Sequence, residues 1–270
     1  TRPQMKFTNL TSKIYNEDNN SILLNELVDT KKMLKIFQFY DHIPELNTIE
    51  PEKIQQQKTK LLNTLKNIKK NRNKCNYGKK QKRLFDARYY SDSSIGGLKG
   101  IIRGELAKDN YIDIDIVNAH PNFIYNLSKD RYNLELSNLK DYIENRDMWL
   151  NTLMETGMTR SKAKDHILVS IYNDKDITSP LINVNHLQNE LSVLKDKIIE
   201  EFPEEFEIQK KECIRKDKIN YKGALLSMMA QTIENEYLMK IIEYLQQNKL
   251  VSNDYIMIHD GAMIPLSLIH

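Results

Sequence analysis

Two kinds of side chain in this sequence have the types and spacing to do chemistry: carboxylates on strand-like segments and cations on a helix-like one. In residues 111–122, YIDIDIVNAHPN, Ile112, Ile114 and Ile116 alternate with Asp113 and Asp115, so a strand there carries apolar side chains on one face and both carboxylates on the other. Carboxylates at the end of a hydrophobic strand are costly unless positive charge sits against them, and a divalent metal ion would supply it. His259 and Asp260 place a further carboxylate in a second β-rich stretch, YIMIHDGAMIP over 255–265. Arg160, Lys164, Leu168 and Tyr172 recur every fourth residue, which aligns them as a slowly drifting stripe along one side of a helix. Two cations at that spacing repel mildly, so an anion between them is welcome, a triphosphate in the sharpest reading. Each feature also has a plain explanation. The first is a half-exposed edge strand with two solvated aspartates; the second is an ordinary amphipathic helix. Asp260-Gly261 between apolar runs is by itself a hairpin-turn signal.

The elements that would hold these groups are legible in part. Residues 111–122 read as a buried strand that breaks at Pro121, which cannot donate to a ladder, before a helix starting near Phe123. Thr159 is placed to cap the helix over 158–172. Ser21–Tyr40 reads as a helix, and Pro51 suits the first turn of a second one running towards Lys70, so this part reads as wholly helical. Helices are expected over 132–150, over 184–202 (stopped by Pro203) and over 219–247, with Gln231 on an otherwise apolar side of the last. The acidic cluster from Glu200 to Glu207 reads as a solvated face or turn. Residues 255–265 read as a hairpin turning at Asp260-Gly261.

At 270 residues with 40% hydrophobic content, the chain is long and apolar enough for a substantial core. The net charge of +3 says little, but its distribution is uneven. No acidic residue occurs from Lys58 to Arg83, a stretch holding Lys66, Lys69, Lys70, Arg72, Lys74, Lys79, Lys80, Lys82 and Arg83. Its part over 66–83 reads as a loop or frayed helix end suited to sequence-independent, salt-sensitive contact with a phosphate backbone. Cys75 and Cys213 are far apart, which argues against a disulfide scaffold or zinc site and fits a reducing, intracellular setting. No apolar run approaches the ~20 residues that cross a bilayer, and no signal peptide opens the sequence. The start at Thr1 and the end at His270, close behind the His259-Asp260 motif, point to a fragment of a larger protein.

An acidic strand, a helix bearing Arg, Lys and Tyr at four-residue spacing, and a His-Asp hairpin come in the order of motifs A, B and C of family A (Pol I-like) DNA polymerases and their single-subunit RNA polymerase relatives. Arg160, Lys164, Leu168 and Tyr172 resemble the R-x3-K-x3-F-x3-Y-G of that family's fingers helix, departing at Leu168, where the family has an aromatic, and at Asn173, where it has Gly. Asp115 opens a motif similar to motif A, and His259-Asp260 resembles motif C. Arg88 with Tyr89, Tyr90 and Ser91, and then the segment from Gly97 to Arg103, look like the family's G-R-L-S-S…N-L-Q-N-I-P-I-R. The matches span 88–261.

The resemblance implies an α+β fold, a helix-rich polymerase right hand with a small antiparallel palm sheet. Residues 1–83 would form a helical thumb-like region with the basic segment, 84–130 a palm portion with motif A, 131–218 helical fingers with motif B, and 219–270 a palm portion with the long helix and motif C. It implies two Mg²⁺ ions, with Mn²⁺ as an alternative, on Asp115, Asp260 and the Ile116 carbonyl, and Asp113 as a further or supporting carboxylate. Lys164 would neutralise the triphosphate and protonate pyrophosphate, Arg160 would grip the γ-phosphate, Leu168 would stand in the place of the family's aromatic against the nucleotide, and Tyr172, counted with the nucleotide-binding residues, would pack near the templating base. His120 falls where a residue stands against the sugar, a place that also matches the Tyr of D-x2-S-L-Y-P in family B polymerases. Arg88, Arg103, Gln231, Ser227, His259 and the basic residues Lys79, Lys80, Lys82 and Arg83 would contact primer–template. Template-directed DNA synthesis is the expected activity. A priming or template-independent nucleotidyltransferase, a metal-dependent exonuclease and an inactive nucleic-acid-binding relative are the alternatives.

Overall fold

The computed structural model describes residues 21–44, 50–79, 85, 88–174, 178–259 and 261–266. In chain order these form β1 (Ser21–Asn25), α1 (Thr30–Gln38), α2 (Pro51–Asn71), β2 (Lys74–Lys79), β3 (Tyr89–Tyr90), α3 (Gly100–Ala107), β4 (Tyr111–Asp115), α4 (Ala119–Tyr132), α5 (Ser137–Glu144), α6 (Arg146–Glu155), α7 (Arg160–Tyr172), α8 (Ile182–Glu201), α9 (Pro203–Arg215), α10 (Tyr221–Gln247), β5 (Ile256–Ile258) and β6 (Gly261–Pro265). The fold is α+β, with two antiparallel three-stranded sheets ordered β1-β2-β3 and β4-β6-β5. Among the described residues no helix is long and apolar enough to cross a membrane. The described chain divides into two compact units, one of residues 118–234 with Phe85, the other holding both sheets. Helix α10 contributes to both, changing unit between Glu234 and Asn235.

In the unit with the sheets, β1 replaces the first turns of the helix expected over 21–40. Leu24 is 1% exposed and Leu23 55%, the period-two pattern of a strand, and Leu24 pairs with Cys75 across the ladder. The helix begins only where Asp29 caps it, its carboxylate accepting from the Lys31 and Lys32 amides at 2.8 and 3.2 Å. Pro51 opens α2 as expected. That helix ends at the left-handed Arg72 and Asn73, so of the loop or helix end expected over 66–83 the first residues are the end of α2, while 74–79 form β2 and 80–83 lie outside the described residues. One core joins α1, α2 and α3 through Met33, Leu61, Leu65, Ile68, Ile102 and Leu106 to Tyr111, Ile256 and Met263. A second joins Leu24, Cys75 and Tyr77 to Leu238 and Ile242 of α10 and to Met257, Ala262 and Ile264. The sheet carrying the aspartates thus has apolar packing on both faces. Burying side chains of this size at about 25 cal/mol per Å² makes these two cores the main support of the strand ends.

Of the two readings of residues 111–115, the structure shows the half-exposed edge strand and not the buried one. Strand β4 is an edge of its sheet, its Ile112 is 41% exposed, and Asp113 and Asp115 are exposed. The faces are less clean than alternation suggested, because Tyr111 shares the carboxylate face and is buried. Its hydroxyl donates to the Asp254 carbonyl at 3.0 Å and accepts from the Leu27 amide at 2.6 Å. The hairpin also departs from the one expected. Ile258 pairs with Gly261, so Gly261 belongs to β6 and not to the turn.

In the unit of 118–234, α4 begins at Ala119 with Pro121 in its first turn, where a missing amide costs nothing. Helices α5 to α8 pack in succession around Trp149, Leu153, Ile167, Leu187 and Leu191. The indole nitrogen of Trp149 donates to Asp141 at 2.7 Å. Of the two readings of the acidic cluster, the solvated face holds and the turn does not: Glu200 and Glu201 end α8, Glu204, Glu205 and Glu207 lie on α9, and four of the five are exposed. Pro203 sets the first turn of α9, and Glu204 and Glu205 occupy that turn, where carboxylates meet the positive end of the helix dipole.

Candidate functional site

Thr159 caps α7 as its spacing predicted, accepting from the Lys162 amide at 3.3 Å. Along α7 the stripe of Arg160, Lys164, Leu168 and Tyr172 stays accessible, Leu168 being 41% exposed and Lys164 and Tyr172 half-buried. Ile167 and Ile171 turn into the core instead. The anion invited by the two cations is, in this structure, the protein's own: Arg160 pairs with Asp147 of α6 at 2.5 Å. Arg160, and more weakly Lys164, hold the Asp147 carboxyl below the usual carboxylate range. An exposed pair of this kind contributes little.

The last stripe position meets the residue five beyond Asp115. Tyr172 Oη and His120 Nδ1 are 2.5 Å apart, with the rings edge to face at 5.7 Å between centroids. On its other side His120 Nε2 lies 2.9 Å from Glu234 Oε2. Glu234 is buried at 0% exposure on α10, and sequence reasoning passed over it. The end of α7 is itself docked on the start of α10. Asn220 donates to the Tyr172 carbonyl at 2.8 Å, and Asp174 accepts from the Lys222 and Gly223 amides at 2.8 and 2.6 Å. The buried Lys195 donates to the Asn173 carbonyl at 2.5 Å. A Cβ on Gly223 would stand 1.4 Å from the Tyr172 carbonyl oxygen, so only glycine allows this approach. His166, whose protonation burial disfavours, meets Ser179 at 3.0 Å and ties down the segment after α7. Gln231 donates to Ser227 one turn earlier on α10, at 3.0 Å.

In the unit with the sheets, Asp115 pairs with Gly261, the residue that follows Asp260 in the chain. Gly261 is extended, and its role is contact rather than turning: a Cβ there would lie 2.1 Å from the Ile114 carbonyl oxygen. Asp113 lies on the same face of β4 as Asp115, about 7 Å away along the strand, and pairs with Met263. Ile116 follows the strand, and His259 is exposed beside the hairpin. Asp260, Lys80, Lys82 and Arg83 lie outside the described residues. Among the described residues no group of three or more His, Cys, Asp or Glu side chains could hold a metal ion. The donors at issue, Asp115 with its neighbours on β4, are oxygens on an accessible strand end, which suits a hard cation such as Mg²⁺.

The remaining residues lie on the same unit. Lys79 stands over the Tyr89 ring at 5.1 Å, and Arg88 is half-buried just before β3. Arg103 serves the fold, its guanidinium donating to the Gly96 and Leu98 carbonyls at 3.2 Å. One feature was missed. Gln56, Thr59, Lys60, Asn63, Lys66 and Asn67 line one face of α2, and with Asp92 they bound an open groove of about 500 Å³. Its hydrogen-bonding side chains, three and four residues apart, suit the oxygens of a polyanionic strand.

Comparison with family models, curated proteins and solved structures finds no match to this chain.

Proposed function

We propose that this protein is a nucleic-acid polymerase that adds nucleotides to a primer 3′-hydroxyl by two-metal-ion phosphoryl transfer, in template-directed DNA synthesis. The observation that carries the reading is the hydrogen bond between His120 and Tyr172. Two motifs separated by 52 residues, each singled out for a nucleotide-facing role, meet at those two side chains. The pairing of β4 with β6 supports it further, because it aligns Asp115 with the neighbour of Asp260.

In this reading Asp115, Asp260 and the Ile116 carbonyl hold Mg²⁺, which when bound activates the 3′-hydroxyl and stabilises the leaving pyrophosphate. Lys164 and Arg160 bind the triphosphate, Arg160 exchanging Asp147 for the γ-phosphate. His120 and Tyr172 stand against the sugar. The polar face of α2, with Lys79 and Arg88, binds the phosphate backbone of primer–template.

A labelled primer–template, Mg²⁺ and either dNTPs or NTPs provide the test. Extension by the wild type, abolished by Asp115→Ala and by Asp260→Ala, is expected. Asp113→Ala should retain measurable extension, since Asp115 is the ligand that sets His120 at its distance. Shortening of the primer without nucleotides would instead make the protein an exonuclease. Duplex binding without any extension would make it a non-catalytic binding module.

A further inference from the structure

On α10, Ala230, Glu234 and Leu238 recur every fourth residue and all three are buried. A glutamate on such a stripe gives up its hydration and needs a strong partner in return. It faces His120 Nε2 at 2.9 Å. An imidazole nitrogen facing a carboxylate donates to it, and in the tautomer with its proton on Nε2 the other nitrogen, Nδ1, is an acceptor. That acceptor lies 2.5 Å from the Tyr172 hydroxyl, so Tyr172 donates to His120. Three side chains from α4, α7 and α10 therefore form one directional chain, Tyr172 to His120 to Glu234.

We propose that Glu234 is a positioning residue for nucleotide selection: by fixing His120 as an acceptor it locks the Tyr172 hydroxyl and ring, and so sets how strictly the sugar of the incoming nucleotide is read. The identity of the substrate rests on the polymerase reading above; the relay rests on geometry within one unit. A phenol committed to His120, with its ring held edge-on to the imidazole at 85°, cannot swing aside for a bulkier sugar. Replacing the carboxylate by an amide of the same shape removes the direction of the chain. The Gln amide group can donate to Nε2, the proton then moves to Nδ1, and His120 turns from acceptor to donor towards Tyr172.

Two measurements test this. The ring nitrogens of His120 in ¹⁵N-histidine-labelled protein are expected to show Nε2 protonated and Nδ1 bare, and this pattern to be lost in Glu234→Gln. A wild-type ring protonated at Nδ1 overturns the proposal without need of any variant, including one that might not fold. In primer extension, the ratio of kcat/KM for dNTP over NTP is expected to fall about tenfold in Glu234→Gln, the scale of one hydrogen bond to a charged group. Because both substrates are measured on one preparation, the ratio cancels any loss of folded enzyme. It should fall equally in Tyr172→Phe, with no further fall in the double variant. A ratio within twofold of wild type in Glu234→Gln, with extension retained, overturns the role in selection. A wild type that extends no primer refutes the polymerase reading and the role in selection with it, and the nitrogen spectra still decide whether Glu234 sets the ring.

Discussion

Gly261→Ala is the sharpest probe of how the carboxylate-bearing strands are held. The added methyl group would sit 2.1 Å from the Ile114 carbonyl oxygen and 3.2 Å from the Asp115 Cα. Both obstacles are backbone, which cannot rotate away as a side chain can. Restoring ordinary contact near 3.5 Å requires β4 and β6 to part by roughly 1.4 Å, enough to break the adjoining ladder bond. Overpacking costs about 1–3 kcal/mol and the lost bond about 1 kcal/mol more, so about 2–4 kcal/mol is expected. For a unit of this size that lowers the melting temperature on the order of 5–15 °C. Gly104→Ala is the matched control, since a Cβ on that helical glycine meets nothing within 4 Å. It should be neutral or stabilising by up to about 1 kcal/mol. Melting curves of the two variants, with primer extension measured well below both transitions, form the assay. Gly261→Ala should lose extension even where it remains folded, because the displaced strand carries Asp115. A Gly261→Ala protein that melts within about 1 °C of wild type would refute the close-approach reasoning.

Three further outcomes are expected. Burial raises the pKa of Glu26, whose carboxylate receives the Tyr77 hydroxyl at 2.7 Å and the Ile95 amide at 3.0 Å. The folded state therefore binds this proton more tightly than the unfolded one, and stability falls as pH rises from about 4.5 through the raised value; denaturant melts across that window should show a slope that Glu26→Gln removes. Replacing Lys60 or Lys66 on the groove face by Ala should weaken binding of any duplex alike, and each should reduce the slope of log affinity against log salt by about 0.9, read by fluorescence anisotropy. Lys164→Ala should lower the rate of nucleotide addition more than primer–template affinity, whereas equal losses in both would remove Lys164 from the triphosphate site.

What was legible in the sequence followed the physics of each signal. The caps at Thr159 and Pro51 and the long apolar period of α10 depend on local residues, and they stand in the structure. The segment Ser21–Asn25 was misread because a run such as SILLN fits a helix and a strand equally well at that length. Only its pairing with Lys74–Lys79, some fifty residues away, decides the matter. Gly261 reads as a turn residue because Asp-Gly normally supplies left-handed backbone, whereas it lies in β6 and is needed for nearness to Ile114. Glu234 was passed over because a helical glutamate ordinarily faces solvent. A signal was present, its place on the same stripe as Ala230 and Leu238. Arg103 and Asp147 were beyond reach, since their partners are a carbonyl turn and another helix.

The pairing of β4 with β6 acts as a key as well as a joint. Of the residues of β6, Gly261 alone lacks the atom that would collide with the Ile114 carbonyl at this approach. A slip of one residue would turn every side chain of β4 to the opposite face, and a slip of two would set that carbonyl against Met263. At this strand separation a slipped pairing would bring a Cβ onto that carbonyl, so the register that sets Asp115 opposite Gly261 is held by an absence of atoms.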